Sequence, residues 1–146
     1  MSTFDDLSRR EFVRKRAAHR CEYCQIPEEE FRAATVFHEE HIKPRAQFVN
    51  DDPQLNSVSN LAWSCPICNQ SKQANTEWAD PQTGEMTQLF NPREDNWNEH
   101  FKAHKSGHVV GLTATGRATV AALRFNDEGR VRNRVSLVQR RLWPAI

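Results

Sequence analysis

A short polar segment, His38-Glu39-Glu40-His41, contains the residue types that most clearly suggest chemistry. Carboxylate oxygens bind divalent cations such as Mg²⁺ and Mn²⁺, and histidine changes protonation near neutral pH, so it can accept a proton from water. The segment could therefore support metal-assisted hydrolysis, with Glu40 as a metal ligand and His41 as the general base. Taken singly, each of these residues would more often be a solvated or structural side chain.

The four cysteines form two Cys-x2-Cys pairs, one on each side of this segment: Cys21 and Cys24, then Cys65 and Cys68. Two thiolates at this spacing can reach one ion, and two such pairs supply the four sulfurs of a tetrahedral structural zinc site. Disulfides or a thioredoxin-like redox pair are the alternative, but a redox Cys-x2-Cys usually occurs singly. The 40 residues between the pairs exceed an ordinary zinc-ribbon spacing, so the zinc is expected to hold the base of an inserted unit.

The order of polar residues over about residues 20–75 resembles the HNH endonuclease family. The pattern is a cysteine pair, an acid followed by histidine, a proline, Asn-Leu, a second cysteine pair followed by asparagine, and a lysine. In this sequence it is Cys21/Cys24, Glu40-His41, Pro44, Asn60-Leu61, Cys65/Cys68-Asn69 and Lys72. The third position is Asn69 instead of histidine, which is similar to the H-N-N variant of the family, and Glu40 stands where aspartate is commonest.

This resemblance implies an α+β fold with a ββα-metal (His-Me finger) core pinned by the four-cysteine zinc site, in a small HNH protein of the bacterial or phage type. It implies metal-dependent hydrolysis of DNA phosphodiester bonds, with Asn69 as a second ligand of a catalytic Mg²⁺ or Mn²⁺ and Ni²⁺ as a further candidate. Asn60 would then orient His41, and Lys72 would contact phosphate. His38, two positions before the ligating glutamate, is a further candidate ligand of the catalytic metal.

Several helices and strands must position these residues. For the first half, the sequence predicts a helix at 5–19, a helical turn at 27–30, strands at 34–39 and 61–63, and a helix at 69–75. For the second half, it predicts a turn at 80–84, a strand at 86–90, a hairpin over 100–112, and helices at 113–125 and 127–142. We expect residues 1–78 to form the nuclease core with its N-terminal helix, and 79–146 to form a hairpin-plus-helices extension packed on it.

The composition favours one compact intracellular domain. The chain has 146 residues, 38% of them hydrophobic, and a net charge of +1, which argues against a strongly polybasic protein but leaves room for a local basic face. No apolar run approaches the roughly 20 residues that span a bilayer. The N-terminal residues lack the apolar region of a secretory signal. The expected location is therefore cytoplasmic, with no membrane partner.

Arginines provide candidate contacts to the DNA backbone. The segment from Arg117 to Arg141 contains seven arginines and only two acidic residues, so its local net charge is +5. A positive surface of this kind can bind the DNA backbone. The individual candidates are Arg9, Arg14, Arg45, Arg132 and Arg134. Solvated helix faces would explain the same arginines. A non-catalytic zinc-dependent nucleic-acid-binding module would explain both the arginines and the cysteines. That module would not explain the Glu40-His41-Asn69 pattern. The sequence does not decide between a monomer and a homodimer.

Overall fold

The computed structural model describes residues 6–31 and 36–145. Its helices are α1 (Asp6–Arg16), α2 (Pro66–Lys72), α3 (Trp97–His100), α4 (Ala114–Ala122) and α5 (Glu128–Gln139). Its strands are β1 (His38–His41), β2 (Leu61–Ser64), β3 (Glu77–Ala79), β4 (Met86–Gln88), β5 (Phe101–Ala103) and β6 (Val109–Gly111). The strands pair in sequence order as three antiparallel hairpins. The α+β fold class is thus confirmed. Within the described ranges, none of the helices combines the length and apolar character that a membrane crossing requires.

The β1–β2 hairpin and the helix that follows it form the centre of the fold. Glu40 pairs with Ala62 and His41 with Leu61 across the hairpin. All of β2 is buried, whereas in β1 only Glu40 is buried. The hairpin therefore rests on the core through β2 and leaves most of β1 towards solvent. Strand, loop, strand and helix follow in the expected order, which confirms the ββα core.

The first strand lies later in the sequence than predicted. Of the predicted range 34–39, residues 34 and 35 fall outside the described residues, and the strand itself runs from His38 to His41. Val36 and Phe37, which have the higher strand propensity, precede it. The position of this strand follows from hydrogen bonding to β2, which outweighs the higher intrinsic β-propensity of Val36 and Phe37.

Helix α1 is shorter and less deeply packed than expected. Val13 is buried, but Leu7 and Phe12, the other large apolar residues of this helix, are 79% and 40% exposed. The helix ends at Arg16, and Ala18 and His19 then adopt left-handed φ angles that turn the chain towards the first cysteine pair. The predicted range of 5–19 overlooked this turn.

Arginine side chains attach α1 to the hairpin. The Arg10 guanidinium lies 4.6 Å from the ring centroid of Trp63. Arg16 donates hydrogen bonds to the carbonyl oxygens of Leu61 (2.7 Å) and Val58 (2.9 Å). Cation–π contacts and hydrogen bonds thus supplement the limited apolar contact of this helix.

Helix α2 begins earlier than predicted, inside the second cysteine pair. The Cys65 sulfur accepts a hydrogen bond from the Cys68 backbone N–H (3.4 Å), and Pro66 occupies the first helical turn, where its missing N–H does no harm. The helix ends at Lys72, since Gln73 has a left-handed φ of 52°. The predicted range of 69–75 treated the pair as a turn before the helix, whereas its first cysteine is the N-cap.

The C-terminal half contains the predicted hairpin and both predicted helices, each over a shorter range. The hairpin turns at Gly107, whose φ of 87° suits glycine. A Cβ there would also collide with the carbonyl oxygen of Val131 in α5. Strand β3 and helix α3 were not predicted, because three- and four-residue elements carry too little periodicity to be detected.

Three contacts tie the C-terminal half to the first cysteine pair. Trp143 donates its indole N–H to the Cys24 carbonyl (2.9 Å), Trp97 donates to the Tyr23 carbonyl (2.8 Å), and Arg93 forms an ion pair with Glu22. Aromatic residues of both halves join one buried cluster. The division at residue 78 stays a prediction.

Asp80 holds the β3–β4 hairpin against α4. Its buried carboxylate accepts two hydrogen bonds from Arg117, at 2.9 and 2.8 Å, and others from Gln82 and Thr83 in the turn. Hydrogen bonding to Arg117 is the main cause that lowers the pKa of Asp80 to about 2. Because the folded-state pKa is depressed, the stabilisation is complete above the unfolded-state pKa of about 3.9 and is lost as the pH falls towards 2.

Asp80→Asn should therefore lower the melting temperature at pH 7, and by the same amount at pH 5. Thermal melts of the variant and the wild type at both pH values would measure the two differences. Asp51→Asn, in an exposed loop, is the control and should leave the melting temperature unchanged. A difference that is absent at pH 7, or that has vanished by pH 5, would contradict this role.

Candidate active site and zinc site

Strand β1, the loop that follows it and α2 border an open cleft of about 480 Å³. Four residues predicted to carry chemistry line this cleft: His38, Glu40, His41 and Asn69. They come from two elements about 30 positions apart in the sequence, and the ββα core brings them together. The cleft is the only place in the described structure where these groups meet.

A hydrogen bond from a loop asparagine orients the half-buried His41 ring. His41 Nε2 lies 2.8 Å from Asn56 Oδ1. An amide oxygen can only accept, so Nε2 carries the proton and donates it. In the neutral ring, this tautomer leaves Nδ1 with a lone pair that can accept a proton. Asn56 was not identified from the sequence, where it is one polar residue among many in the loop.

Asn56→Ala should slow a reaction that depends on His41 without unfolding the protein. The ring would lose its fixed tautomer and direction, and misplacement of a reacting group by about 1 Å can cost up to about 100-fold in rate. Single-turnover cleavage of DNA would measure this loss. Asn50→Ala, in the same loop and also exposed, is the matched control and should cleave at the wild-type rate. An equal rate for both variants would remove Asn56 from the site.

Asn60 is buried and fixes the chain immediately after His41. Its Oδ1 accepts from the Lys43 N–H (2.9 Å), and its Nδ2 donates to the carbonyls of Lys43 (3.1 Å) and Leu55 (2.9 Å). It does not touch His41. These bonds close the loop over residues 43–60, so any influence on His41 passes through the backbone, and the orienting role implied by the family resemblance stays a prediction.

Glu40 is held from both sides by buried partners. Its Oε1 accepts from Lys72 Nζ and its Oε2 accepts from the Tyr23 hydroxyl, both at 2.5 Å. Burial raises the pKa of Glu40, although the hydrogen bonds and the charge of Lys72 oppose that change. Burial and the neighbouring carboxylate raise the pKa of Tyr23 well above its ordinary value. An ionised carboxylate has about four acceptor positions, so two hydrogen bonds do not exhaust its capacity to accept.

The structure places Lys72 differently from the sequence-based expectation of a phosphate contact. Its side chain is only 2% exposed, and its ammonium forms an ion pair with Glu40 inside the protein. A buried cation needs a buried counter-charge, and Glu40 supplies it. Lys72 therefore reaches the cleft only through Glu40. Tyr23, the one tyrosine of the chain, was not predicted to bind Glu40, because only the packing of the folded chain brings the two side chains together.

Asn69 offers an oxygen to the cleft from the first half of α2. Within residues 6–31 and 36–145 its side-chain amide makes no hydrogen bond, so its oxygen is available. Carboxylate and amide oxygens are hard ligands that suit Mg²⁺ or Mn²⁺, and the role of Glu40 and Asn69 as ligands of such an ion stays a prediction. His38 lies at the exposed start of β1 and would add a nitrogen ligand, which also suits Ni²⁺.

The four cysteines form one buried cluster behind the cleft. Each is at most 1% exposed, and their sulfurs all lie within 4.8 Å of one another. The Cys24 and Cys65 sulfurs are 3.8 Å apart, far more than the roughly 2.05 Å of a disulfide. A tetrahedral zinc site with Zn–S bonds of about 2.3 Å places its sulfurs about 3.8 Å apart. The cluster can therefore bind zinc, as predicted.

The thiols of this cluster do not shift alike: burial and hydrogen bonds with its neighbours raise the pKa of Cys21 well above its ordinary value, and the pKa of Cys65 is raised as well, whereas that of Cys24 is lowered. Burial alone would raise the pKa of the Cys24 thiol, but hydrogen bonds with the other three cysteines and the positive charge of Arg130 lower it well below its ordinary value. In return, the cysteine sulfurs raise the pKa of Arg130, although burial opposes this. Thiolates are the form that binds metal.

Two candidate DNA-contacting arginines of α5 occupy very different positions. Arg134 is 1% exposed and donates to the backbone carbonyls of Gly107 (2.6 Å) and Phe125. These donors join α5 to the hairpin and the side chain has little access to solvent, so the structure gives its predicted contact with DNA no support. Arg132 is exposed and forms a surface ion pair with Glu128 (2.9 Å).

The other candidates lie nearer the cleft or on α1. Arg45 is exposed and lines the cleft. Arg9 forms an ion pair with Glu39 at 2.7 Å, and Arg14 forms one with Glu28 at 2.8 Å. Both are partly exposed, so the ion pairs reduce but do not remove their positive character at the surface.

Comparison with known protein families matches residues 21–75 to the family described as HNH endonuclease. The matched segment begins at Cys21 and ends three residues after α2, so it contains the cysteine cluster and the cleft residues. Comparisons with curated proteins and with solved structures give no match.

Proposed function

Residues 21–75 match the HNH endonuclease family, and from that premise we propose that the protein is a metal-dependent DNA endonuclease that hydrolyses phosphodiester bonds. Members of this family are generally nucleases. The observation that supports the proposal most strongly is the meeting of Glu40, His41 and Asn69 in one cleft. An acid, a base and an amide oxygen around a solvent-accessible depression are the groups that hydrolysis of a phosphodiester needs.

His41 is the proposed general base. With its Nε2–H donated to Asn56, the free Nδ1 can take the proton of a water molecule in the cleft. Removal of that proton makes the water a better nucleophile towards phosphorus. Asn60 keeps the following backbone in place, so that the ring presents the same nitrogen in every turnover.

Glu40 and Asn69 would hold the catalytic Mg²⁺ or Mn²⁺, with His38 as a further ligand that would also admit Ni²⁺. When bound there, such an ion stabilises negative charge on the phosphate and on the leaving 3′ oxygen. Lys72 and Tyr23 keep the Glu40 carboxylate in one orientation. The ammonium of Lys72 also favours the ionised form of Glu40, in which the carboxylate can act as a ligand.

DNA is the proposed partner, with its backbone contacted by arginines that are at least partly exposed. Arg45 is the best placed, because it lines the cleft itself. Arg9, Arg14 and Arg132 are the remaining candidates. Each phosphate contact of this kind contributes non-specific, salt-dependent affinity and no sequence preference.

The alternative is a zinc-dependent module that binds nucleic acid without cleaving it. One observation favours it: both oxygens of Glu40 already accept hydrogen bonds, which competes with metal binding. The two functions differ in whether DNA is cut when it is bound.

Purified, zinc-loaded protein should convert supercoiled plasmid to nicked or linear DNA in Mg²⁺, Mn²⁺ or Ni²⁺, and not without added metal. A gel-shift assay on the same preparation would measure binding separately. Nicked product would indicate one active site acting per encounter, and linear product would indicate a homodimer that cuts both strands. Binding without cleavage in every ion would favour the non-catalytic module.

A further inference from the structure

Arg130 of α5 lies buried against the cysteine cluster. Its Nη2 donates a hydrogen bond to the Cys68 sulfur at 3.0 Å, and its Nη1 donates to the carbonyls of Leu123 (2.5 Å) and Arg124 (3.2 Å). The residue is 8% exposed. In the part of the chain that the structure describes, no carboxylate forms an ion pair with it. What distinguishes Arg130 from Arg134, which is equally free of a carboxylate partner among the described residues, is that one of its donors is directed at a cysteine sulfur.

The cysteine cluster is the negative charge that faces Arg130. Four thiolates around one Zn²⁺ carry a net charge of about −2, and a buried site must compensate it. An N–H donor on a thiolate sulfur delocalises that charge and fixes the direction of the ligand. Arg130 combines a positive charge and an N–H donor at the same sulfur.

A second contact from the C-terminal segment reaches the other cysteine pair. Trp143 is 2% exposed and donates its indole N–H to the carbonyl of Cys24 at 2.9 Å. The guanidinium of Arg134 lies 5.3 Å from the centre of the Trp143 ring. The segment from Arg130 to Trp143 therefore touches both cysteine pairs, through Cys68 and Cys24.

We propose that Arg130 is a positioning residue of the zinc site, so that α5 and Trp143 complete a metal centre whose ligands all lie within residues 21–75. The proposal rests on zinc binding by the four cysteines, which belongs to the proposed function, but not on DNA cleavage. It explains why an arginine is buried at this point of α5 with no carboxylate beside it. It also gives the C-terminal half a role in the HNH domain that is separate from DNA contact.

Zinc affinity of the full chain tests the proposal. Arg130→Gln removes the charge and keeps a shorter polar side chain, and it should weaken zinc binding by about 10- to 100-fold in competition with a chromophoric chelator. Arg132→Gln is the matched control, because Arg132 lies two positions along the same helix, is exposed and pairs only with Glu128 in this structure. That control should keep wild-type affinity. Arg130→Lys, which retains the charge, should recover part of the loss.

A spectroscopic readout separates this role from a merely structural one. In the cobalt-substituted protein, Arg130→Gln should shift the thiolate-to-cobalt charge-transfer band to lower energy, because the Cys68 sulfur loses its hydrogen bond. Arg132→Gln should leave the band unchanged. An Arg130→Gln protein that melts at a lower temperature, but keeps the wild-type band and zinc affinity, would overturn the proposal.

The wild-type protein offers a test that does not require a variant to fold. All four cysteines are at most 1% exposed, so access alone does not distinguish them. If Arg130 stabilises the Cys68 thiolate, slow alkylation of the zinc-loaded protein, mapped by mass spectrometry, should modify Cys68 last. Modification of Cys68 before the other three would overturn the proposal. None of these three tests uses cleavage, so failure of the nuclease function would not be mistaken for failure here.

Discussion

His41→Ala should reduce the rate of DNA cleavage by about 10²- to 10⁴-fold, the usual contribution of a general base. A neutral ring that donates its Nε2–H to Asn56 keeps Nδ1 unprotonated, so this nitrogen can accept a proton. Alanine removes that nitrogen. The side chain is half-buried and lies at the edge of the hairpin, so we expect the fold and the affinity for DNA to survive.

Three measurements on the same preparations check this expectation: single-turnover cleavage of an end-labelled duplex, a gel-shift assay and a thermal melt. His104→Ala is the control. His104 is an exposed histidine after β5, hydrogen-bonded to Ser106 and outside the cleft. It should cleave at the wild-type rate. A His41→Ala protein with wild-type turnover would exclude His41 from the mechanism, and one that no longer binds DNA would assign it a binding role.

Cys65→Ser should leave most of the chain unfolded. Zinc binding to four thiolates contributes roughly 10 kcal/mol or more of folding free energy in small modules, which is comparable to the roughly 5–15 kcal/mol total stability of a typical domain. Cys65 also caps α2, and the cluster to which it belongs is in contact with the core through Trp63 and Tyr23. Serine can still cap α2, so the expected loss comes from the metal site and from the core support that the site provides.

Circular dichroism melts and elemental analysis for zinc would measure this effect. Ser64→Ala is the control, because Ser64 is the neighbouring residue and is equally buried. The substitution removes only the hydrogen bond from the serine hydroxyl to the Cys65 carbonyl, which is worth about 1 kcal/mol. The control should melt cooperatively and retain zinc. An unchanged cooperative melt in Cys65→Ser, with no zinc in the wild-type protein, would contradict the structural role of the metal.

The cysteine cluster was predicted from ligand spacing, which encodes a three-dimensional constraint, whereas the ββα core was implied by the resemblance to the HNH endonuclease family. Two Cys-x2-Cys pairs must converge if they bind one ion, and this places residues 25–64 between fixed points. The association of Glu40 with Asn69 was implied by the family resemblance, and the structure places both residues at the same cleft. No propensity argument was needed for these contacts.

Side-chain partners from distant segments could not be predicted in the same way. Whether Lys72 faces phosphate or Glu40 depends on the packing of α2 against β1 and on Tyr23 in the first cysteine pair. Arg134 was expected at the surface because arginine is seldom buried. Only the folded structure shows that its guanidinium is buried and donates hydrogen bonds to backbone carbonyls. Burial of a polar residue depends on its partners, which lie elsewhere in the chain.

Local errors have a physical cause too. The helix after the second cysteine pair was placed three residues late, since Cys65 was interpreted as part of a turn instead of as an N-cap. The strand at β1 was placed four residues early, since the apolar Val36 and Phe37 have higher strand propensity than the polar residues that actually pair with β2. In both cases the site residues lay close to the predicted element, although its limits were shifted.

One measurement tests the central claim most directly: cleavage of an end-labelled DNA duplex by zinc-loaded wild-type protein, with and without added Mg²⁺ or Mn²⁺, followed by analysis of the new ends. Attack of water on phosphorus with departure of the 3′ oxygen predicts metal-dependent cleavage that leaves 5′-phosphate and 3′-hydroxyl ends. Duplex that is bound but stays intact in every ion, or that is cut equally well without added metal, would contradict the assignment of a metal-dependent hydrolytic site to Glu40, His41 and Asn69.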